Sequence, residues 1–230
     1  MTNATMEETQ ETREQLAEAC RQRAAQYGFI SRLFRKEITP ELLDELHGLH
    51  YRVHTGNDNI DEGYRLIATY LSGIWDNTIT ELAADYMRTF FGHGYSGHAA
   101  AYPFESIYTN EKRLLMQGAR DEVLALYRAA GLDKKDDWKE GEDHIALELE
   151  YMQVLALRTA NALEVGDERQ ATTLLKSQLN FLDDHLYAWA PLLAIDMKRF
   201  SQTDFYTGLA FLMEGFLEED VELLEDILEE

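Results

Sequence analysis

Glu140-Gly141-Glu142-Asp143-His144-Ile145-Ala146-Leu147-Glu148-Leu149-Glu150-Tyr151-Met152 is the stretch whose reading decides the fold. An acidic lead-in, broken by Gly141, runs directly into a strongly apolar segment. Glu142 and Asp143 stand where a first helical turn has unpaired N–H groups and the positive end of its dipole, so two carboxylates there favour a helix start. From Ile145 onward, Leu149, Met152, Ala156 and Leu163 fall on one stripe at three- and four-residue steps, while Leu147, Tyr151 and Val154 add a second apolar face. A helix that is apolar on several sides is covered on several sides. It is expected at the centre of the core, with His144 at the mouth of that core.

The rest of the chain reads as helix too. It has 230 residues, only three prolines, and runs of Ala, Leu, Glu, Arg and Gln, which predict an all-α fold able to bury a sizeable core. A first helix is expected from Arg13 to about Lys36, with a bend at Gly28. Thr39-Pro40-Glu41 is a restart with an N-cap, a proline at the first position and an acid. Further helices are expected over Asp61–Trp75, Thr78–Phe91 and about Arg120–Ala130. The quoted helix runs to about Glu164, and Asp167 caps a helix toward Leu186. A restart at Trp189-Ala190-Pro191 and a last long helix from Thr203-Asp204 complete the set. Residues 1–12 are expected to be disordered, and 13–217 to form one helical domain. From Glu218 on there are eight acids and no base, which at a helix C-terminus oppose the dipole; residues 218–230 therefore read as a solvated acidic tail. Gly131 to Gly141, charged apart from Leu132 and Trp138, reads as a hinge between two helical halves.

Composition removes several functions. A net charge of −22 opposes nucleic-acid binding and favours cationic partners. A single cysteine, Cys20, excludes an internal disulfide and fits a reducing compartment; on its helical stripe it reads as an inert buried thiol. The start lacks a secretory signal and no run approaches a membrane span, so a cytoplasmic protein is expected. Gly92-His93-Gly94-Tyr95-Ser96-Gly97 has dinucleotide-type glycine spacing, but a helical stripe rather than a strand precedes it, so it reads as a loop. Asp44, His47, His50 and His54 could line one helical face and bind a metal, or could be surface residues. No histidine has a Glu three residues before it, and there is no nucleophile elbow or P-loop. No enzyme, cofactor or metal is expected.

Three ordered motifs carry a resemblance. Glu-x-x-Asp-His ahead of Ile-Ala-Leu-Glu-Leu-Glu-Tyr-Met, Tyr102-Pro103-Phe104-Glu105-Ser106-Ile107-Tyr108, and Phe181-Leu182-Asp183-Asp184-His185-Leu186-Tyr187-Ala188-Trp189-Ala190-Pro191 resemble the TorD/DmsD family of molybdoenzyme maturation chaperones. The segment from Tyr27 through Leu33-Phe34 is similar to its opening helix, so the resemblance covers about residues 20 to 217. Two departures stand out: Gly141 where the family carries Pro, and Gly92-His93 where it tends to carry Gly-Pro. The resemblance implies a single multi-helix bundle that holds a twin-arginine leader peptide and the apo-form of a molybdopterin oxidoreductase of the DMSO/TMAO reductase type until cofactor insertion and export. It implies a monomer, or a homodimer that exchanges halves about the hinge. Weak guanine-nucleotide binding is also a family trait, with no residue here to carry it. Asp143 and His144 are the expected recognition pair, with Glu140, Tyr102, Pro103, Glu105 and Tyr108 around the same groove. On position alone, Asp143 reads as a helix cap and His144 as a core-edge hydrogen bond. Two alternatives stay open: an assembly chaperone of the NarJ type, which grips its oxidoreductase without an arginine pair, and a helical metal-binding enzyme.

Overall fold

A computed structural model describes residues 3–73, 75–92, 100–109, 118–135 and 138–229, with side chains from residue 10 onward. The described residues form helices α1 (Asn3–Arg35), α2 (Pro40–His47), α3 (Asp58–Ser72), α4 (Thr78–Phe91), α5 (Glu105–Thr109), α6 (Gly118–Ala129), α7 (Ile145–Glu164), α8 (Glu168–Phe181), α9 (Tyr187–Phe200) and α10 (Asp204–Glu229). A π-helical turn, Leu182–Leu186, joins α8 to α9, and the one extended pairing among the described residues is an isolated antiparallel bridge between Phe104 and His144. The fold is all-α, as the apolar periodicity requires.

The quoted stretch forms the central helix. Ile145, Leu149, Met152 and Ala156 of α7 are fully buried, each larger side chain contributing roughly 1.5–3 kcal/mol of transfer free energy. α1 lies along it. α1 runs unbroken through Gly28, whose bare Cα leaves room for the Gln153 side chain of α7, into which a Cβ would run. On the other side α10 packs on α3, where a Cβ on Gly63 would sit 2.7 Å from Leu212 N and one on Gly208 would sit 2.8 Å from Gly63 O. Two helices approach that closely only with glycine at the crossing. Asp85 of α4 ties the α9–α10 junction to the body, accepting from the backbone N–H of Gln202 (2.9 Å) and Thr203 (2.8 Å) and from the Thr203 hydroxyl (2.7 Å).

The ends and two boundaries differ from the sequence expectation. α1 starts at Asn3 and α10 continues through Glu229, so residues 218–229 are helix rather than a free tail. Tertiary pairing overrides the local dipole: Asp220 is buried against Arg23, whose Nη2 donates at 2.8 Å, and accepts from Tyr27 Oη at 2.6 Å, while Leu224 is fully buried. α3 begins three residues early because the Asn57 side chain caps it, accepting from Asn59 N (2.9 Å) and Ile60 N (3.1 Å). No break separates α8 from α9: the π-turn carries the chain through, and Pro191 lies inside α9, one turn on.

Candidate functional site

The 102–108 and 140–152 motifs meet at the N-terminus of α7. Ile145 N–H donates to Pro103 O at 2.9 Å, and Glu105 N–H to Asp143 O at 3.0 Å. Asp143 is fully buried, and its Oδ2 accepts from Ser106 N–H at 3.1 Å. It therefore caps α5, the neighbouring helix, not the one that follows it in sequence. Its second oxygen, Oδ1, meets no donor and lies where a Cβ on Gly141 would be, 2.7 Å away. An uncompensated acceptor of this kind in the interior costs about 1–3 kcal/mol, more when it is charged.

His144 is the N-cap of α7. Its Nδ1 accepts from Ala146 N–H at 3.1 Å, which puts the ring proton on Nε2. The Phe104 and Trp138 rings meet it edge to face, with centroids at 5.0 and 5.1 Å. Burial brings its pKa down to about 3, so the ring is neutral at physiological pH. With Nδ1 committed to the cap, the ring offers a client only the Nε2–H donor. That is narrower than the donor-or-acceptor role open in the sequence.

The remaining expected residues spread outward from this pair. Pro103 and Glu105 are buried, Tyr102 and Tyr108 half-buried, and Glu140 exposed with its carbonyl accepting from Lys134 Nζ at 3.0 Å. Tyr108 stacks on Trp189 (5.5 Å between centroids, 25° between planes), and its hydroxyl meets Asp196 at 3.2 Å. Glu142 pairs with Arg120 and, at 2.8 Å, with Lys134. Burial pushes its carboxyl up, but the Arg120 and Lys134 hydrogen bonds outweigh that and hold it at about 2.

Trp138, half of the hinge's apolar content, is the wall of the site. Its indole is buried against His144, with the Arg35 guanidinium 5.5 Å above the ring. On one side of it a recess of about 110 Å³ is floored by Tyr127, Leu132, Leu147, Tyr151 and Val154. On the other, a groove of about 700 Å³ runs past Arg32, Lys36, Leu42 and Glu140. The second apolar face of α7 is thus the floor of an open recess. His47, His50 and His54 share no helical face: α2 ends at His47, and His54 lies beyond it, outside any helix, with φ 59° in the left-handed region. Among the described residues no three His, Cys, Asp or Glu side chains could hold a metal. Of the Gly92–Gly97 pattern, residues 93–97 lie outside the described residues.

The family model described as nitrate reductase delta subunit matches residues 57–194, which takes in all three motifs. The chain belongs to this family. Among its relatives are proteins named chaperone protein TorD from Photobacterium profundum (30% identical, covering 88% of this chain and 94% of the relative), Aliivibrio salmonicida (27%, 88% and 94%) and Vibrio cholerae (27%, 90% and 94%). It is a TorD-type chaperone, a class of binding proteins and not of enzymes. In this TorD-type chain no described helix is long and apolar enough to cross a membrane.

Sequence reasoning missed four residues at the site: Trp138, Glu148, His185 and Trp189. His185 and Trp189 lie in the third motif, quoted only for its resemblance. Their role depends on the π-turn, which aims His185 Nδ1 at Glu105 (3.2 Å) while Trp189 Nε1 reaches Glu148 (3.0 Å). Trp138 could have been found as the one aromatic residue in an otherwise charged hinge.

Proposed function

We propose that this chain is a cytoplasmic maturation chaperone that holds the twin-arginine leader and apo-form of a molybdopterin oxidoreductase until it is ready for export. The observation that carries the reading is Asp143 Oδ1, a buried acceptor with no donor at the head of α7, the helix whose Leu147, Tyr151 and Val154 floor an apolar recess. A guanidinium N–H would satisfy that oxygen, with Glu140 as a second acceptor at the rim. His144 Nε2–H would donate to a client backbone carbonyl, and the apolar part of the leader would seat on Leu147, Tyr151 and Val154. The His144 ring is covered by Trp138 and Phe104, so a client reaches its Nε2–H only when one of these side chains moves. The overall charge of −22 supports the reading by favouring encounter with a basic segment. No step needs a nucleotide or a metal.

The test is binding of a synthetic leader by the full chain, compared with the same peptide carrying two lysines or two alanines in place of its arginines. Tight binding of the arginine form, weakened at least tenfold by lysine and lost with alanine, is expected, because the planar guanidinium presents its N–H donors in a rigid fork, whereas a lysine ammonium is a flexible, strongly hydrated point charge. Equal binding of all three would refute the reading. The nitrate reductase description of the matched family favours one other reading, an assembly partner for a client without the arginine pair. Copurification with a leader-deleted oxidoreductase would support that one.

A further inference from the structure

Arg35 is the last residue of α1, and its guanidinium lies 5.5 Å from the centroid of the Trp138 ring. Its Nη1 stands 3.8 Å from the Glu150 carboxylate of α7. That separation is longer than a hydrogen bond, and the two side chains are 32% and 38% exposed, so the ion pair is screened and weak. Among the described residues no other ion pair holds either group. The indole beneath is fixed by contrast. Trp138 is buried, its Nε1 donates to Gly141 O at 3.4 Å, and the His144 ring packs against it at 5.1 Å between centroids.

This place is open to a client from two sides. Arg35 and Trp138 line both the recess of about 110 Å³ and the groove of about 700 Å³, so the guanidinium sits where the two cavities meet. A fixed aromatic face with a carboxylate beside it is a receptor for guanidinium, which stacks on the ring and pairs with the acid. The other charges on the recess leave that role intact: Lys134 is bonded to Glu142 at 2.8 Å, and Asp133 and Lys135 offset each other at the rim. A second cation added beside Arg35 would meet like charge, whereas exchange of one guanidinium for another leaves the local charge as it was. The spacing fits a pair of arginines. Glu150 lies five residues past Ile145, roughly 8 Å along α7 from its head. Successive side chains of an extended peptide point to opposite sides, so neighbouring arginines can reach Asp143 and Glu150 together.

We propose that Trp138 and Glu150 form a second guanidinium subsite, that Arg35 fills it in the empty chaperone as an internal stand-in, and that one arginine of a client leader displaces Arg35 from it. The inference rests on the leader-binding reading above and adds to it a subsite and a competitor. Displacement needs only side-chain rotation, because Arg35 ends its helix and its backbone stays in place. Arg35 thereby lowers the affinity for every leader and spares the apolar recess from a bare, charged neighbour until one arrives.

The experiment is peptide anisotropy with the arginine-pair leader on full-length wild type, Arg35→Ala and Lys36→Ala. Lys36 borders the same groove but is not part of the ring contact, so its variant measures what loss of one positive charge does by itself. Arg35→Ala is expected to bind about two- to fivefold more tightly than wild type, the worth of an exposed cation–ring contact, and Lys36→Ala less than about twofold more tightly. Adding Glu150→Gln to Arg35→Ala should cancel the gain. Unchanged or weaker binding by Arg35→Ala, or equal gains from both single variants, would overturn the displacement; Arg35→Gln decides the same question if alanine loosens the 138–141 segment. The subsite is tested separately, without leader, by adding N-acetylarginine amide and following the Trp138 indole N–H resonance, assigned by its loss in Trp138→Phe. Arg35→Ala should show a saturable shift at lower concentration than wild type, whose subsite is filled. No shift in the variant would refute the subsite even if the leader binds, and a shift without any leader binding would leave the subsite standing and refute the leader reading.

Discussion

Replacing Asp143 separates its two duties, because its two oxygens face different partners. Oδ2 caps α5 through Ser106 N–H at 3.1 Å, while Oδ1 is free for a client. Asp143→Ala removes both. The lost cap is worth about 1–2 kcal/mol, and at about 2–4 °C per kcal/mol for a chain of this size the melting temperature should fall by roughly 2–8 °C. Asp143→Asn keeps a carbonyl oxygen for Ser106 and should cost under about 1 kcal/mol, but it replaces the client-facing charge with a neutral amide. A charged hydrogen bond of about 1.5–3 kcal/mol is lost to the client, a drop in leader affinity of roughly 10- to 150-fold. Differential scanning fluorimetry and peptide anisotropy on the two variants read the two effects independently. An alanine variant as stable as wild type would refute the capping assignment, and an asparagine variant with wild-type affinity would refute the guanidinium assignment.

Other outcomes follow from the same geometry. Gly141→Ala puts a Cβ 2.7 Å from Asp143 Oδ1, so it should displace that carboxylate and weaken leader binding more than it lowers thermal stability; the same two assays compare the losses. Asp220→Ala leaves Arg23 charged and buried and should cost about 3–5 kcal/mol in urea denaturation; a loss under about 1 kcal/mol would mean that the α10 end is not anchored there. The Glu142 carboxyl, held at about 2, gives stability that is present above its unfolded value of 4.5 and is lost as pH falls toward 2. That amounts to up to about 3 kcal/mol before allowance for the partly solvated Arg120 and Lys134, and Arg120→Ala should flatten this acid limb of the urea midpoint. His144 should show a neutral ring protonated on Nε2 in nitrogen NMR across pH 5 to 8, and a charged ring at pH 6 would refute its burial.

Most of the helices were legible because their signals are local. The Thr39-Pro40-Glu41 start, the α4 range and the α7 end at Glu164 depend on a cap, a stripe or a glycine within a few residues, and the structure has them where the sequence indicates. Two of the misplacements share one cause, a partner distant in sequence. The acidic end of α10 is helical because Arg23, 197 residues away, neutralises Asp220. Gly28, read as a bend, is a contact surface for α7. At the site, the motif residues of 102–108 and 140–144 do come together, but the sequence did not show that Asp143 would cap a helix it does not belong to.

By itself the sequence determined that the chain is helical, acidic and built around the 145–164 helix, since residue period, charge and breaker residues are properties of neighbours along the chain. The tertiary structure alone decided what each buried polar atom faces: Asp143 Oδ1 without a donor, His144 reduced to one free N–H, and Glu148 bonded to Trp189 through one oxygen only. Hydrogen bonds and desolvation act over a few ångströms in space, and no spacing along the chain encodes which atoms are brought within that range.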